Sequence, residues 1–393
     1  MITLTTPFTP EFTPYLPSSL PAKRTLYFDI ETTGLSAQSS YVYLIGCAYE
    51  EEETYSLTQW MTTDPAEEKE LLRLFFEKAK AYDLLLHYNG TGFDLPFLEK
   101  KAQRHCLSYP LSDMESLDLY AVARKLKNYL PTEDLKLKSM EQFFGLSRTD
   151  TFSGGELIEV YAQFLGLYRL NEMTNHGKER EVTALGHVLL LHNAEDIKNL
   201  PSLTVLLFLQ NLSSYLSEQS ISPVTVSISD SDIRNAAETL TIQYTLPFSF
   251  PKFFSFELPW ETFGLTFSFT ETGIFTLMLP LFRGELKHFY PNPADYYYLP
   301  MEDCAMHKSV ASFVEKEFRK KATAATCYSK KAGIFLPLAT MGKTKKEAQK
   351  VSSLPCFLSD YKSNYAYTLL TEDLPANPQQ LHTLVCELLD SLL

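Results

Sequence analysis

The chain has 393 residues, 45% of them hydrophobic and 21% charged, with a net charge of −13. That length favours two domains, and the composition excludes a disordered chain. Six cysteines without a C-x-x-C pair exclude a zinc knuckle and a disulfide framework, and no run is apolar enough for a membrane span or a signal peptide, so a cytoplasmic protein is expected.

Residues 1–22, rich in proline and threonine, read as an extended arm. Three strand signals follow, RTLYFDIE (24–31), YVYLIGCAYE (41–50) and TYSLTQWMT (54–62), close enough together for an antiparallel meander. Asp64, Pro65 and Glu67 spell a helix start, and Leu71, Leu72, Phe75 and Ala79 then share one helical face. YDLLLHYNG (82–90) is a buried strand stopped by Asn-Gly. Residues 95–105, 113–127 and 134–145 read as helices, Ser153-Gly154-Gly155-Glu156 opens another, and 180–211 closes the set. Strands, helix, strand and several helices make an α/β pattern over 23–211. The chain then changes character. VTVSIS, LTIQYTL, GLTFSFT, IFTLMLPLF and ELKHFY alternate and are separated by turn signals, so 215–393 reads as a smaller α+β domain with an antiparallel sheet. Helices are expected over 302–321 and from Asn377-Pro378 onward.

Side chains two apart on a strand share a face, so Asp29 and Glu31 in LYFDIETTGLS (26–36) project together. Two like charges desolvated side by side cost several kcal/mol each, on the order of the penalty for any buried ion. A divalent cation held by both removes the conflict, and oxygen ligands alone suit Mg²⁺ or Mn²⁺. A lone D-x-E is weak, since most such pairs are solvated strand ends. Asp94 follows a buried strand and a glycine-rich turn. Asp196 lies on an apolar helix with His192 one turn before it, on the same face.

These stretches carry a resemblance. F-D-I-E-T-T-G-L at 28–35, Y-N-G-T-G-F-D at 88–94 and H-N-A-E-D at 192–196 resemble, in order and at intervals of 63 and 102 residues, the three exonuclease motifs of the DEDD superfamily, whose fold is the RNase H-like mixed sheet flanked by helices. YVYLIGC (41–47), SLDLYAVARKL (116–126), LKLKSMEQFFG (135–145) and GGELIEVY (154–161) are similar to its YprB-like branch of predicted ribonuclease H-like proteins. The resemblance covers about 23–211. It implies a 3′-5′ exonuclease that hydrolyses phosphodiesters at a single-stranded or frayed 3′ end, of DNA or RNA, with two divalent cations, Mg²⁺ or Mn²⁺. Asp29 would bridge the two ions. Glu31 and Asp196 would complete the site nearer the attacking water, and Asp94 would hold the second. Asn89 would steady the loop or the substrate, and Thr32 and Leu35 would contact the terminal nucleotide. His192 departs from the pattern: one subgroup has tyrosine four residues before the last aspartate and the other has histidine five before it. The expected role is to position or deprotonate the water, against a purely structural histidine.

The net acidity needs a local reversal of sign before a nucleic-acid partner fits. Lys316, Arg319, Lys320, Lys321, Lys330, Lys331, Lys343, Lys345, Lys346 and Lys350 supply one, with Tyr328 and Phe335 interleaved as stacking residues would be. Lys320, Lys321, Lys330 and Lys331 are the substrate-guiding candidates, against a merely solvated basic face. Asp118 reads as a helix cap and His87 as packed. The rivals to an exonuclease are an RNase H-type endonuclease and a non-catalytic nucleic-acid-binding or scaffold protein that kept the fold. The sequence carries no signal of oligomeric state.

Overall fold

Alternation along Thr25–Thr32 sets the layout of the first half of the chain. Leu26, Phe28 and Ile30 enter one core, and Tyr27, Asp29 and Glu31 therefore face the opposite side of the sheet. The computed structural model describes residues 1–18, 20, 24–174, 177–219, 222–229, 238–250, 252–261, 263–340 and 354–392. The chain divides into two units, Met1–Gln210 and Asn211–Leu393.

In the first unit the strands are β1 (Ile2–Phe8), β2 (Thr25–Thr32), β3 (Val42–Glu51), β4 (Thr54–Met61), β5 (Leu84–His87) and β6 (Glu115–Asp118). They form one mixed sheet in the order β1-β4-β3-β2-β5-β6. Pairing is antiparallel from β1 to β2 and parallel across β2, β5 and β6. Helices α1 (Glu68–Ala79) and α2 (Asp94–Arg104) cover one face, where Phe28 meets Phe75 with ring centroids 5.5 Å apart. The short helices α3 (Leu119–Lys125) and α4 (Leu137–Phe144) follow. Helices α5 (Gly154–Met173) and α6 (Glu179–Lys198) cover the other face through Tyr161, Phe164 and Leu189, with Tyr43 stacked on Tyr161 at 4.0 Å. This is the expected mixed sheet flanked by helices.

Two local expectations fail in this unit. The segment read as an arm contains β1, which covers the edge of β4 in full register. Pro7 is tolerated there because an edge strand has one unpaired side. Farther along it, buried Phe12 donates its N–H to Ser202 at 3.1 Å and Tyr15 to Thr204 at 2.7 Å. Residues 113–127, read as one helix, split into β6 and α3. A four-residue strand leaves too little alternation to register against a helical periodicity, and it forms because β5 offers a parallel edge.

The second unit is α+β, with antiparallel pairing throughout its described sheets. Its strands are β7 (Thr225–Ser229), β8 (Thr239–Thr245), β9 (Phe254–Trp260), β10 (Phe263–Phe269), β11 (Ile274–Pro280), β12 (Phe282–Phe289), β13 (Tyr296–Leu299), β14 (Cys304–His307), β15 (Lys320–Lys321), β16 (Tyr328–Thr340) and β17 (Tyr365–Leu369). They form sheets in the orders β7-β8-β11-β10-β9, β12-β16-β17 and β14-β13-β15. The first is cored by stacked phenylalanines, Phe256 on Phe267 at 5.0 Å and Phe269 on Phe275 at 4.9 Å. The closing helix, Pro378–Leu392, is present. The helix expected over 302–321 is not. Asp303 takes a left-handed φ of 49° and turns the chain into a hairpin between β13 and β14, and only Lys308–Ala311 is α-helical in that stretch.

Helix α6 approaches the sheet closest over Gly46, which pairs with Asp29. A Cβ on Gly46 would lie 2.2 Å from the Asn193 side-chain oxygen and 2.3 Å from a terminal carbon of Ile197. Gly46→Ala is expected to destabilise the fold by about 1–3 kcal/mol and to lower the melting temperature; an unchanged melting temperature would show that α6 does not sit against this strand.

Candidate active site

The last residues of β2, the first of α2 and the C-terminal third of α6 bring their carboxylates into one field. Asp29 and Glu31 face α6. The Asn193 amide donates to the Asp29 carboxylate at 3.1 Å and to its backbone carbonyl at 3.4 Å. Gln59 on β4 in turn donates to Asn193 at 2.9 Å. Asp94 opens α2, and the backbone N–H groups of Ile30 and of Asp94 itself favour its charged form. Glu31, His192 and Asp196 each offer a ligand atom, and all three atoms lie within 4.8 Å of one another.

The electrostatics are those of crowded acids. Burial, then the charges of Asp94, Asp196 and Glu31, push the Asp29 carboxyl well above the usual range. Burial, then Asp196, Asp94 and Asp150, do the same to Glu31, with Arg148 opposing. Burial raises Asp94 to about 7, against its two backbone hydrogen bonds and with help from Asp118 and Asp196. Four carboxylates from three distant stretches therefore share one field.

Residues 26–208 match a family model described as the RNase_H superfamily. The first unit carries an RNase H-like domain. A DNA polymerase of Pyrococcus glycovorans is 28% identical over 174 residues, covering 37% of this chain and 22% of the polymerase, so the match spans about a fifth of that relative. The family B DNA polymerase of Pyrobaculum calidifontis superposes with a TM-score of 0.38 at 14% identity, over 71% of this chain and 37% of the polymerase. E. coli exonuclease I in complex with a dT13 oligonucleotide gives 0.28 at 13% identity, over 57% and 55% of the two chains.

Three residues of the RNase H-like domain that the sequence did not single out complete the site: Asn193, Arg148 and Asp150. Arg148 stands among Glu141, Asp150 and Asp196. It contacts Asp196 directly, Glu141 at 3.0 Å and Asp150 at 3.1 Å. Burial pulls its pKa down, but Asp196 and Glu141 outweigh that and raise it. Asp150 lies 2.7 Å from His192 Nδ1 and accepts from Lys138 at 3.1 Å. The only sequence signal for these was Asn193 inside the H-N-A-E-D stretch (192–196); nothing marks S-R-T-D (147–150), a loop placed by tertiary packing. The cleft beside the carboxylates, about 530 Å³, is also lined by Lys136, Lys138 and Phe152.

The remaining candidates disperse. Leu35 is 89% exposed on the turn after β2, and the Thr32 hydroxyl donates to the Gly34 carbonyl at 2.9 Å. Asn89 is exposed with a left-handed φ of 63°, and its N–H donates to Asp118 at 2.8 Å. Asp118 also takes the Thr91 N–H at 3.3 Å and caps α3 through Tyr120 at 3.0 Å, so it ties the 89–91 turn to the next helix. His87 is buried and accepts from the Gly90 N–H at 3.0 Å; burial lowers its pKa to about 4, with Asp118 opposing, so it packs as a neutral ring. In the second unit Lys320 and Lys321 are exposed on β15 and Lys331 on β16. Lys330 is neutralised by Asp303 at 2.6 Å and Glu285 at 3.5 Å. The stacking role expected of Tyr328 and Phe335 is overturned: they are 5% and 0% exposed and belong to the core. Lys343, Lys345, Lys346 and Lys350 lie outside the described residues. Among the described residues no helix is long and apolar enough to cross a membrane.

The donor set fits a divalent cation. Glu31 is 8% exposed and accepts no hydrogen bond among the described residues, with His192 Nε2 at 3.6 Å. A buried carboxylate in that state lacks a counter-charge. The folded protein keeps protons on this cluster that the unfolded chain has already released above about pH 4, so folding stability falls as pH rises from there through the Asp94 value of about 7. In chelator, the melting temperature is expected to drop between pH 5 and pH 8, with a shallower drop for Asp94→Asn and recovery on adding Mn²⁺. Equal slopes for the two proteins, measured by scanning calorimetry, would remove Asp94 from the cluster.

Proposed function

We propose that the RNase H-like domain is a metal-dependent 3′-5′ exonuclease of the DEDD type, in the YprB-like branch, acting on single-stranded or frayed ends of DNA or RNA. The observation that carries this reading is the shared field of Asp29, Glu31, Asp94 and Asp196, from β2, α2 and α6, in which burial and mutual repulsion raise the pKa of the first three. Such a cluster is costly unless it holds cations. Mg²⁺ or Mn²⁺, as two ions held by these four side chains, would neutralise the phosphate and stabilise the entering and leaving oxygens.

The chain's own residues do the rest. Asn193 holds the Asp29 carboxylate in place at 3.1 Å. His192 Nε2 faces the gap between Glu31 and Asp196 and accepts a proton from the attacking water. The water oxygen bonds to phosphorus, the bond from phosphorus to the preceding O3′ breaks, and that O3′ takes up a proton from solvent. A nucleoside 5′-monophosphate and a chain one residue shorter leave. Leu35 is exposed where it can wedge against a terminal base, and Lys136 and Lys138 line the cleft with charge that suits a phosphate backbone. Asn89 and Thr32 belong to the substrate side of the same reading.

One contact favours a second reading, a nucleic-acid-binding protein without hydrolysis. Arg148 already supplies a positive charge to Asp196, where a cation is needed.

A panel of 3′- and 5′-labelled DNA and RNA, with Mg²⁺ or Mn²⁺, separates the two. Stepwise release of mononucleotides from 3′ ends is expected, with circular substrates resistant and Asp29→Ala and Asp196→Asn reduced by at least about 10³-fold. Cleavage of circles, or wild-type rates in Asp29→Ala, would overturn it. Lys320, Lys321 and Lys331 are proposed to guide the strand, with Lys330 contributing less because Asp303 and Glu285 neutralise it. Lys320→Glu with Lys321→Glu should weaken oligonucleotide binding and reduce the salt slope by about 1–2, whereas Lys330→Glu alone should leave the slope nearly unchanged. Equal slopes for all proteins would remove the patch from the interface.

A further inference from the structure

Two carboxylate oxygens and one imidazole nitrogen face the same small gap. His192 Nε2 lies 3.4 Å from Asp196 and 3.6 Å from Glu31. On the other side of the ring, Nδ1 lies 2.7 Å from Asp150. The side chains of Asp150 and His192 are 2% and 6% exposed, so water does not compete for that bond.

We propose that Asp150 is a positioning residue that fixes the tautomer of His192, placing its proton on Nδ1 and its lone pair on Nε2, toward Glu31 and Asp196. This rests on the hydrolytic reading above, and it adds a residue to that reading which none of the three carboxylate motifs contains.

The argument starts with Asp150. Its carboxylate also accepts from Lys138 at 3.1 Å, Arg148 at 3.1 Å and the Phe152 N–H at 3.1 Å. The Lys138 ammonium and the Arg148 guanidinium, each at 3.1 Å, hold it ionised. An ionised carboxylate only accepts. The Nδ1 of His192 must therefore donate, and a neutral ring then has its lone pair at Nε2. A lone pair facing two carboxylate oxygens is repulsive unless an electropositive group lies between them. The O–H of a water is such a group, and its proton is the one that hydrolysis must remove. Asp150 itself takes four donors, three of them on Oδ2 and the Phe152 N–H on Oδ1. It acts through His192, and Arg148 joins the arrangement by gripping Asp150 and Asp196 together. The i, i+4 spacing of His192 and Asp196 on α6 keeps the two on one helix face.

The deciding experiment is imidazole ¹⁵N NMR on the full chain, metal-free and at about pH 9, above the usual imidazole titration, with the His192 signal assigned by its loss in His192→Gln. The wild type should show a protonated Nδ1 and a bare Nε2, and Asp150→Ala should shift the ring toward the other tautomer. An Nε2-protonated ring in the wild type overturns the proposal, and that spectrum needs no variant to fold. If Asp150→Ala is folded and keeps the wild-type tautomer, the proposal is equally lost. In kinetics on a 3′-tailed oligonucleotide, Asp150→Ala should lower kcat by about 10²–10⁴-fold with KM within about threefold, and Asp150→Glu should recover part of the loss. A change confined to KM counts against the role. A wild type that hydrolyses nothing with any ion sinks the proposed function, while the spectrum still decides the tautomer.

Discussion

Repulsion among buried acids is the constraint to which the first unit is fitted. Three carboxyl groups are held above their ordinary pKa chiefly by burial and then by neighbouring carboxylates. A fold gains nothing in stability from such a cluster. It is tolerated because the surroundings answer it group by group: an amide on Asp29, two backbone N–H groups on Asp94 and a guanidinium on Asp196. Among the described residues Glu31 accepts no hydrogen bond, with His192 Nε2 standing 3.6 Å away.

That arrangement depends on how tightly α6 lies on the sheet. The glycine opposite Asp29 removes the one side chain that would hold the helix off, and Asn193 fills the space. On the far side, the aromatic packing of Phe28 against Phe75 anchors β2, so alternation along that strand delivers its carboxylates to the helix. The second unit is built differently, on stacked phenylalanines and antiparallel hairpins, and Lys320, Lys321 and Lys331 of its basic patch stand on strands rather than on a helix.

Much of this was legible in the residues. The antiparallel meander, the helix starts at Asp64 and Ser153 and the grouping of Asp29 with Glu31 follow from period-two and helical patterns, which are local, whereas the mixed sheet as a whole was legible through the resemblance. The carboxylates of α2 and α6 were legible only through their resemblance to known motifs, because no local rule brings residues 63 and 102 positions apart together. Arg148 and Asp150 were invisible for the same reason without the help of a motif: a loop residue's partners are fixed by the elements on either side of it. The errors are also local. Composition outweighed alternation at Ile2–Phe8, four residues were too few to declare the strand Glu115–Asp118, and a left-handed Asp303 turned an expected helix into a hairpin. Tyr328 looked like a stacking ring because sequence neighbours say nothing about which face of a strand is covered.

The amides between β4 and β2 have a direction. Gln59 gives its nitrogen to the Leu190 carbonyl at 2.8 Å and to the oxygen of Asn193 at 2.9 Å. Asn193 has only its nitrogen left to offer Asp29. The polarity of the contact on the carboxylate is thus decided two strands away, by a side chain that never reaches it. A glutamate at position 59 could not supply that donor, and Asn193 would be free to turn its oxygen toward an anion.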